Sequence, residues 1–261
     1  MELTPIVLSA GRAQVVVDPA HGGAIESLRV DGREVLGGAE LSEGEPSRFA
    51  RGCFVMAPFT GRLTGDVGGR RIVANTPHGA EHGTVYDSRW DIVAGGAGDS
   101  VRLRSELGPR WPFGGSVELS VAVSDEWLDL RLAVHAEQTM PVALGFHPWF
   151  SRTLGSAEAE IVIEAAGAHL FDDGGMALPG VGPIPPRPWD HVLAGVRSAP
   201  VIRWPELTLT LTASTQTWVV YEQLATAFCV EPVTAPAGAV AAGHTLLDAG
   251  GTRELDFRLA W

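Results

Sequence analysis

A two-residue alternation of apolar and polar side chains runs through most of this sequence and constrains its fold more than any other feature. Between Ser116 and Ala136, apolar residues occupy every second position on both sides of a Ser-Asp-Glu stretch at 124–126. A period of two is that of a β-strand with one buried face, so this segment predicts a long antiparallel hairpin. Segment 207–212, in which leucine alternates with threonine, predicts another half-buried strand.

Shorter alternating segments occur along the whole chain, separated by many of the 32 glycines and 18 prolines. Asp31-Gly32 is a typical hairpin turn between two of them. The pattern predicts an all-β fold, a large antiparallel β-sandwich, with residues 1–261 in a single domain. The Gly- and Pro-rich stretch Asp172–Pro188 predicts a long irregular loop of the kind that is often functional. The further predicted strands are Ala13–Val17, Ile25–Val30, Arg71–Asn75, Val101–Ser105, Glu160–Glu164, Trp218–Glu222 and Glu254–Ala260.

The formal net charge of −12 disfavours nucleic acid and anionic membranes as partners, because both repel an acidic surface. Cys53 and Cys229 lie far apart in apolar surroundings, which predicts free buried thiols and no metal site built on cysteine. The first residues lack the features of a signal peptide, and no apolar stretch approaches the ~20 residues of a membrane helix. We therefore expect a cytoplasmic protein.

The segment Leu144-Gly145-Phe146-His147-Pro148-Trp149-Phe150 sets one imidazole beside aromatic side chains. Histidine can exchange a proton near neutral pH, and Pro148 biases His147 toward an extended backbone. Because Trp149 and Phe150 point to opposite faces of a strand, one of them can share a face with His147. This pattern suits a binding site for a small polar ligand, but taken alone the segment favours a hydrogen-bonded core histidine.

A second histidine, His82, lies in a loop with glycine at 79 and 83. The string His78-x-x-Glu81-His82 matches a zinc-peptidase motif, which requires a helix. Because the surrounding Pro and Gly residues make a helix implausible, we interpret the match as chance. His82 is then either a ligand-binding loop residue or a surface turn residue.

Three further polar residues are candidates for a site. Glu231 stands in the apolar run 227–233, where burial would raise its pKa and make it a better base, unless Pro232 marks an edge strand that turns it to solvent. Arg62 offers a planar set of donors that suits hydroxyls, and Asp190 beside a tryptophan could accept two hydroxyl protons of a sugar. A solvated arginine and a turn-capping aspartate are the plain alternatives.

Taken together, these segments resemble the aldose 1-epimerases, the galactose mutarotase family. The resemblance covers about residues 50 to 240 in order and spacing. The matching segments are Gly145-Phe146-His147-Pro148-Trp149-Phe150, His82-Gly83 eight residues before Trp90, Pro58-Phe59-Thr60-Gly61-Arg62, Asp190, and Glu231-Pro232-Val233-Thr234.

The resemblance implies a galactose mutarotase-like supersandwich that binds a small sugar and needs no metal or cofactor. It implies an isomerase that interconverts the α and β anomers of a free aldose. Opening a hemiacetal ring needs a base for the anomeric hydroxyl and an acid for the ring oxygen, which we expect on opposite sides of the ring. We assign Glu231 as the base and His147 as the acid, with His82, Arg62 and Asp190 as substrate-binding residues.

Three other functions remain open from the sequence. A hexose-6-phosphate 1-epimerase of the same fold would need basic residues beside the pocket, for which Arg51 and Arg70-Arg71 are candidates. A non-catalytic sugar-binding protein would use the pocket without turnover. A metal-dependent, cupin-like enzyme would use the residues His78, His82, His147 and Glu231.

Overall fold

Short antiparallel strands are the main secondary structure in a computed structural model that describes residues 4–38, 47–50, 52–63, 65–243 and 245–261. A 3-10 helix spans Ser47–Ala50. The first strands in chain order are β1 (Ile6–Ala10), β2 (Ala13–Asp18), β3 (Ala24–Val30), β4 (Arg33–Glu34), β5 (Cys53–Met56), β6 (Arg62–Leu63), β7 (Asp66–Val67), β8 (Arg70–Arg71), β9 (Ala80–Glu81), β10 (Asp91–Ala97), β11 (Ser100–Glu106), β12 (Ser116–Val123), β13 (Trp127–His135) and β14 (Met140–Pro141). They are followed by β15 (Gly145–Ser151), β16 (Thr153–Leu154), β17 (Ala157–Glu158), β18 (Glu160–Val162), β19 (Gly167–Phe171), β20 (Ala177–Gly182), β21 (Asp190–Ala194), β22 (Val201–Trp204), β23 (Leu207–Ala213), β24 (Thr217–Tyr221), β25 (Ala227–Val233), β26 (Leu246–Leu247) and β27 (Thr252–Ala260).

Two sheets hold most of these strands. The larger sheet has the order β1-β2-β3-β5-β15-β25-β24-β21-β19-β20, with β4 beside β3. The smaller sheet has the order β10-β11-β12-β13-β27-β23-β22-β18. The centre of the larger sheet, β5-β15-β25-β24, joins segments far apart in the sequence. This non-local pairing can therefore assemble one site from distant residues.

The two sheets pack face to face through aromatic and aliphatic side chains. Phe146 of the larger sheet contacts Phe257 of the smaller sheet with ring centroids 5.7 Å apart, and Trp218 contacts the same ring at 6.0 Å. Alternate residues are buried in several strands of the smaller sheet. In β11 the buried residues are Val101, Leu103 and Ser105. Burial of these side chains supplies the main stabilising free energy. The prediction of an antiparallel all-β sandwich is confirmed.

Several local predictions are also confirmed. The hairpin predicted between Ser116 and Ala136 is β12 and β13, which pair over their whole length around the turn at 124–126. Asp31 and Gly32 form the turn between β3 and β4 with φ of 51° and 76°, a geometry that suits a short hairpin turn. The described residues contain no helix that is long and apolar enough to cross a membrane.

Two local predictions are wrong. The strand predicted at Arg71–Asn75 stops at Arg71, because Asn75 bonds through its side chain to the backbone of Glu81 and not to a sheet ladder. The segment Asp172–Pro188 is not irregular throughout, since it contains β20, which pairs with β19. A register shift at His169/Leu170 accommodates its glycines in that ladder.

Candidate active site

The register of the larger sheet assembles the site from five neighbouring strands. The ladder pairs Gly145 with Val233 and Trp149 with Cys229, so His147 lies opposite Glu231. Side chains directly opposite one another in an antiparallel pair lie on the same face of the sheet. One row across β5, β15, β25, β24 and β21 therefore reads Phe54, His147, Glu231, Val219 and Val192, and the next reads Trp149, Cys229, Tyr221 and Asp190.

A cavity of about 600 Å³ opens over this face. That size lies within the range of small-molecule sites. All five residues assigned from the sequence line it: Arg62, His82, His147, Asp190 and Glu231. The other lining residues are Phe49, Met56, Thr60, Gly61, Glu81, Trp149, Phe171, Gly175, His191, Val192, Val219, Tyr221, Leu224, Val233, Ala235, Pro236 and Ala237.

His147 and Glu231 form a buried pair at the floor of the cavity. The distance from His147 Nε2 to Glu231 Oε1 is 3.3 Å, and the two residues are 7% and 3% exposed. Burial, with added repulsion from Asp190, raises the pKa of Glu231 well above its ordinary value. Burial, with added repulsion from His82, lowers the pKa of His147 well below its ordinary value. Both shifts favour the neutral form of each group, so an ionised Glu231–His147 pair depends on the attraction between its two charges.

The two groups are adjacent because they face each other on neighbouring strands. Facing positions on neighbouring strands bring their side chains together because Cβ atoms of such a pair are about 5 Å apart. The interpretation of Glu231 as a solvent-facing residue of an edge strand is wrong, because β25 lies between β15 and β24 in the sheet and Glu231 is buried.

Aromatic side chains fix the plane of the His147 imidazole. The ring of Phe54 stacks on it with a centroid distance of 4.4 Å and an interplanar angle of 20°. Trp149 packs at 5.0 Å and 45° from the same strand face, and its Nε1 donates to the Phe49 carbonyl at 2.7 Å. Trp149 is therefore the aromatic residue that shares a face with His147, while Phe150 points into the core.

His82 reaches the cavity from a turn with left-handed backbone. Its φ is 54°, and the φ of Gly83 is 86°. A Cβ on Gly83 would meet the carbonyl oxygen of Ala57 at 2.0 Å, so glycine is required there. The imidazole lies edge-on to His147 with ring centroids 5.1 Å apart. Burial lowers the pKa of His82 to about 4. His82 is thus not a surface turn residue, and the 78–82 stretch is strand and turn, not the helix that a zinc peptidase needs.

The lowered pKa of His82 predicts a pH-dependent stability. Unfolded histidine binds a proton below pH 6.5, whereas the native residue does so only near pH 4. Stability contributed by neutral His82 is therefore present above pH 6.5 and is lost as the pH falls toward 4, by at most about 3 kcal/mol. Urea unfolding of wild type and His82→Gln between pH 4 and 7 measures this. The free energy of unfolding of wild type relative to His82→Gln should decrease as the pH falls from 7 to 4. His78→Gln, at an exposed position, is the control. A difference that does not change with pH would contradict the account.

Arg62 lies at the rim and is held by Glu81, which the sequence indicated only as part of the chance zinc-peptidase match. Strands β6 and β9 pair Arg62 with Glu81, and the guanidinium Nε donates to Glu81 Oε1 at 2.8 Å. Both residues line the cavity. The ion pair fixes the donor fork of Arg62, whose other N–H groups donate to no residue in the part of the chain that the structure describes.

Asp190 lies at the exposed mouth of the cavity, at the start of β21. It is opposite Tyr221 in the ladder. Partial desolvation raises its pKa. Asp190 therefore sits where it can accept hydrogen bonds from a ligand that rests on the aromatic wall of Trp149 and Tyr221.

The sequence model of the aldose 1-epimerase family matches residues 5–235. The chain belongs to the aldose 1-epimerase family. Members of this family act on small sugars. Comparison with curated proteins gives no match.

Solved structures of aldose 1-epimerase-like and galactose mutarotase-like proteins share the fold of this chain. A candidate aldose 1-epimerase from Escherichia coli K12 is 21% identical, with 98% of each chain covered and a TM-score of 0.80. A galactose mutarotase-like protein from Lactobacillus casei is 19% identical, with 98% and 99% covered and a TM-score of 0.77. A galactose 1-epimerase from Lactobacillus acidophilus is 14% identical, with 97% and 92% covered and a TM-score of 0.77. At these identities the likeness establishes the galactose mutarotase-like fold.

One group of side chains in this aldose 1-epimerase family member has the composition of a metal site. Ligand atoms of His147, Cys229 and Glu231 lie within 4.8 Å of one another. The thiol, however, contacts Nδ1 and the carboxylate contacts Nε2, which are different edges of the ring. This arrangement suits a hydrogen-bonded chain better than a shared ion. Two members of the cupin-like set lie outside this group: His82 lines the cavity, whereas His78 is exposed and is not among the lining residues.

Sequence reasoning missed several lining residues, including Glu81, Tyr221 and Phe49. Each belongs to a strand or turn whose local pattern is unremarkable, and each reaches the cavity only through pairing with a distant segment. Both cysteines are free and buried, as predicted.

Proposed function

We propose that this protein is an aldose 1-epimerase that interconverts the α and β anomers of a free aldose without a cofactor. The observation that carries the proposal is the buried Glu231–His147 pair, 3.3 Å apart at the floor of a cavity of about 600 Å³. A carboxylate and an imidazole in contact are the groups that acid–base opening of a hemiacetal needs. The aromatic wall beside them suits the apolar face of a sugar ring.

The adjacency of the two groups fits the geometry of the anomeric centre. The anomeric hydroxyl oxygen and the ring oxygen are both bonded to C1, so they are neighbours. Glu231 takes the proton from the anomeric hydroxyl while His147 gives a proton from Nε2 to the ring oxygen. The C1–ring-oxygen bond breaks, C1 becomes an aldehyde carbon, and rotation about C1–C2 exposes its other face. Closure reverses both transfers: Glu231 returns its proton to the anomeric oxygen, and His147 regains its proton at Nε2 from the ring oxygen.

Electrostatics favour a Glu231–His147 pair that holds one proton in total, because neither group alone is stable as a buried charge. Burial makes a lone carboxylate on Glu231 and a lone imidazolium on His147 unfavourable. An ionised pair in contact offsets part of that cost for both groups. Because the two titrate together, their apparent pKa values belong to the pair. Activity then depends on the singly protonated pair, which predicts a bell-shaped pH profile.

Three residues around the pair are assigned to substrate binding. His82, Arg62 and Asp190 offer donors and an acceptor at separate points of the cavity rim. A ring-shaped ligand with hydroxyls on its edge can contact all three while its reacting end lies on Glu231 and His147. Binding of this kind orients the anomeric centre and contributes to rate through positioning.

Replacing Asp190 with asparagine is expected to raise KM about 10- to 100-fold with a smaller change in kcat. A hydrogen bond from a sugar hydroxyl to a charged group contributes about 1.5–3 kcal/mol, and asparagine loses the charge but keeps the shape. Steady-state polarimetry measures both constants. Asp99→Asn, at the turn between β10 and β11, is the matched control. An unchanged KM in Asp190→Asn would remove Asp190 from the binding site.

The charge of the cavity favours a free aldose over a sugar phosphate. Among the described lining residues, Arg62 is bonded to Glu81, and Asp190 and Glu231 add further acidic groups. Arg70 is engaged elsewhere, with its guanidinium 4.5 Å from the centroid of Phe113 and bonded to Gln138. Arg71 is not among the lining residues, and Arg51 lies outside the described residues. A phosphate dianion at this rim would be repelled.

A polarimetric panel tests the proposal. Freshly dissolved α-glucose, α-galactose, α-arabinose and α-glucose 6-phosphate are followed with and without the protein. We expect a rate above buffer for at least one free aldose and none for the phosphate. A rate only with the phosphate supports the sugar-phosphate alternative. Sugar binding by calorimetry with no rate above buffer would identify a non-catalytic binding protein.

A further inference from the structure

We propose that Cys229 is a positioning residue, whose sulfur hydrogen-bonds His147 Nδ1 and holds the imidazole in the orientation that turns Nε2 to Glu231. The inference rests on the proposed function for its effect on rate, and on geometry alone for its effect on the ring. Cys229 was expected to be only a buried thiol, and the acid–base scheme gives it no part.

The contact itself is direct. Cys229 Sγ lies 3.7 Å from His147 Nδ1, within hydrogen-bond range for the large sulfur atom. Cys229 is fully buried and stands opposite Trp149, one row of the sheet beyond the His147–Glu231 row. Because Cys229 and Glu231 are two residues apart on β25, they share a face. The imidazole therefore has the thiol at Nδ1 and the carboxylate at Nε2, and the same thiol also hydrogen-bonds the Glu231 carboxylate.

Packing alone does not decide which edge of the ring faces Glu231. Phe54 and Trp149 hold the plane of the imidazole, but a half-turn about the Cβ–Cγ bond keeps that plane. The half-turn would put Cδ2 against the sulfur and Cε1 against the carboxylate. Both hydrogen bonds would be lost between buried groups, which is costly. The thiol therefore opposes the unproductive orientation.

The thiol suits this task because it stays neutral. Burial, followed by the nearby charge of Glu231, raises the pKa of Cys229 well above its ordinary value. Because His147 gives and regains its proton at Nε2, Nδ1 keeps its proton, and the sulfur can accept from Nδ1–H in both states of the imidazole. The partner thus remains bonded through both halves of a proton-transfer cycle and adds no charge of its own.

The chain offers a matched control in its other cysteine. Cys53 is also buried and lies on β5, beside the same strand. It is opposite Pro148, whose side chain points to the core face, and it belongs to the main hydrophobic core. Cys53→Ala removes the same thiol from the same sheet on the face away from the cavity, where that thiol contacts the backbone of His147 and not its imidazole.

The experiment compares Cys229→Ala, Cys229→Ser and Cys53→Ala with wild type by the side-chain ¹⁵N spectrum of His147 and by kinetics. The His147 signals are assigned by their absence in His147→Gln. We expect Cys229→Ala to shift the Nδ1 signal and to lower kcat about tenfold with little change in KM, which corresponds to about 1.4 kcal/mol. Cys229→Ser, whose hydroxyl both donates and accepts, should largely restore the wild-type Nδ1 signal and kcat. Cys53→Ala should change neither the Nδ1 signal nor kcat.

An unshifted Nδ1 signal in Cys229→Ala would overturn the proposal. Equal effects of alanine and serine, confined to thermal stability, would also overturn it, since they would indicate packing alone. The ¹⁵N spectrum needs no turnover, so it tests the positioning role even if wild-type protein gives no anomer exchange. Absence of exchange in wild type would instead overturn the proposed function.

Discussion

Replacing Glu231 with glutamine is expected to lower kcat for anomer interconversion by about 10²- to 10⁴-fold, the usual contribution of a positioned general base. Glutamine has nearly the same shape and can still contact His147, but its amide cannot take the proton of the anomeric hydroxyl. Because the hydrogen bonds to substrate around the pair remain, KM should change little. Polarimetry on the best sugar of the panel measures both constants.

The same variant should fold at least as stably as wild type at pH 7. The pKa of Glu231 is raised in the folded protein, so its favourable contribution is present below the unfolded value and is lost as the pH rises through the folded value. A neutral glutamine does not suffer that loss. Glu160→Gln, at an exposed position on β18, is the control for removing a carboxylate. Full activity in Glu231→Gln would exclude Glu231 as the base.

Replacing His147 with glutamine should produce a loss of similar size in kcat, for the opposite proton transfer. The glutamine amide can occupy the place of Nε2 and contact Glu231, but it does not titrate and cannot protonate the ring oxygen. Without the acid, ring opening would have to expel an alkoxide, which is a poor leaving group. Rates with free aldose at several pH values measure the loss.

The pH profile distinguishes this loss from a packing defect. Wild type should show a bell, because activity needs one proton on the pair. The rate of His147→Gln should fall on at most one side of the pH range. His135→Gln, on the smaller sheet, is the control and should keep the bell-shaped pH dependence of wild type. A bell of unchanged shape and reduced height in His147→Gln would indicate that His147 only packs against the reacting groups.

The fold was largely predictable because its strands carry their own signal. The alternation in β12, β13 and β23 reflects burial of one face, which is a local property of each strand. Failures occur where that signal is absent. Asn75 replaces ladder bonds with side-chain bonds to Glu81, and β20 is an exposed Gly-rich strand that only its pairing with β19 defines.

The site was predictable only in part. His147 and Glu231 stand out because a polar residue in an apolar strand is costly unless it has a partner, and the family resemblance indicated which partner. Their contact depends on the register between β15 and β25, which no local pattern states. Glu81, Tyr221 and Cys229 gave no such signal. Their positions follow from the same ladders once the order of the strands is known.

The central claim is that Glu231 and His147 act as one acid–base unit on a free aldose. It is tested most directly by polarimetric rates of wild type, Glu231→Gln, His147→Gln and the double variant, measured in parallel on one sugar. Residues that act as a unit give strongly non-additive losses, so the double variant should fall within about threefold of the slower single variant. Losses that multiply in the double variant would contradict the claim.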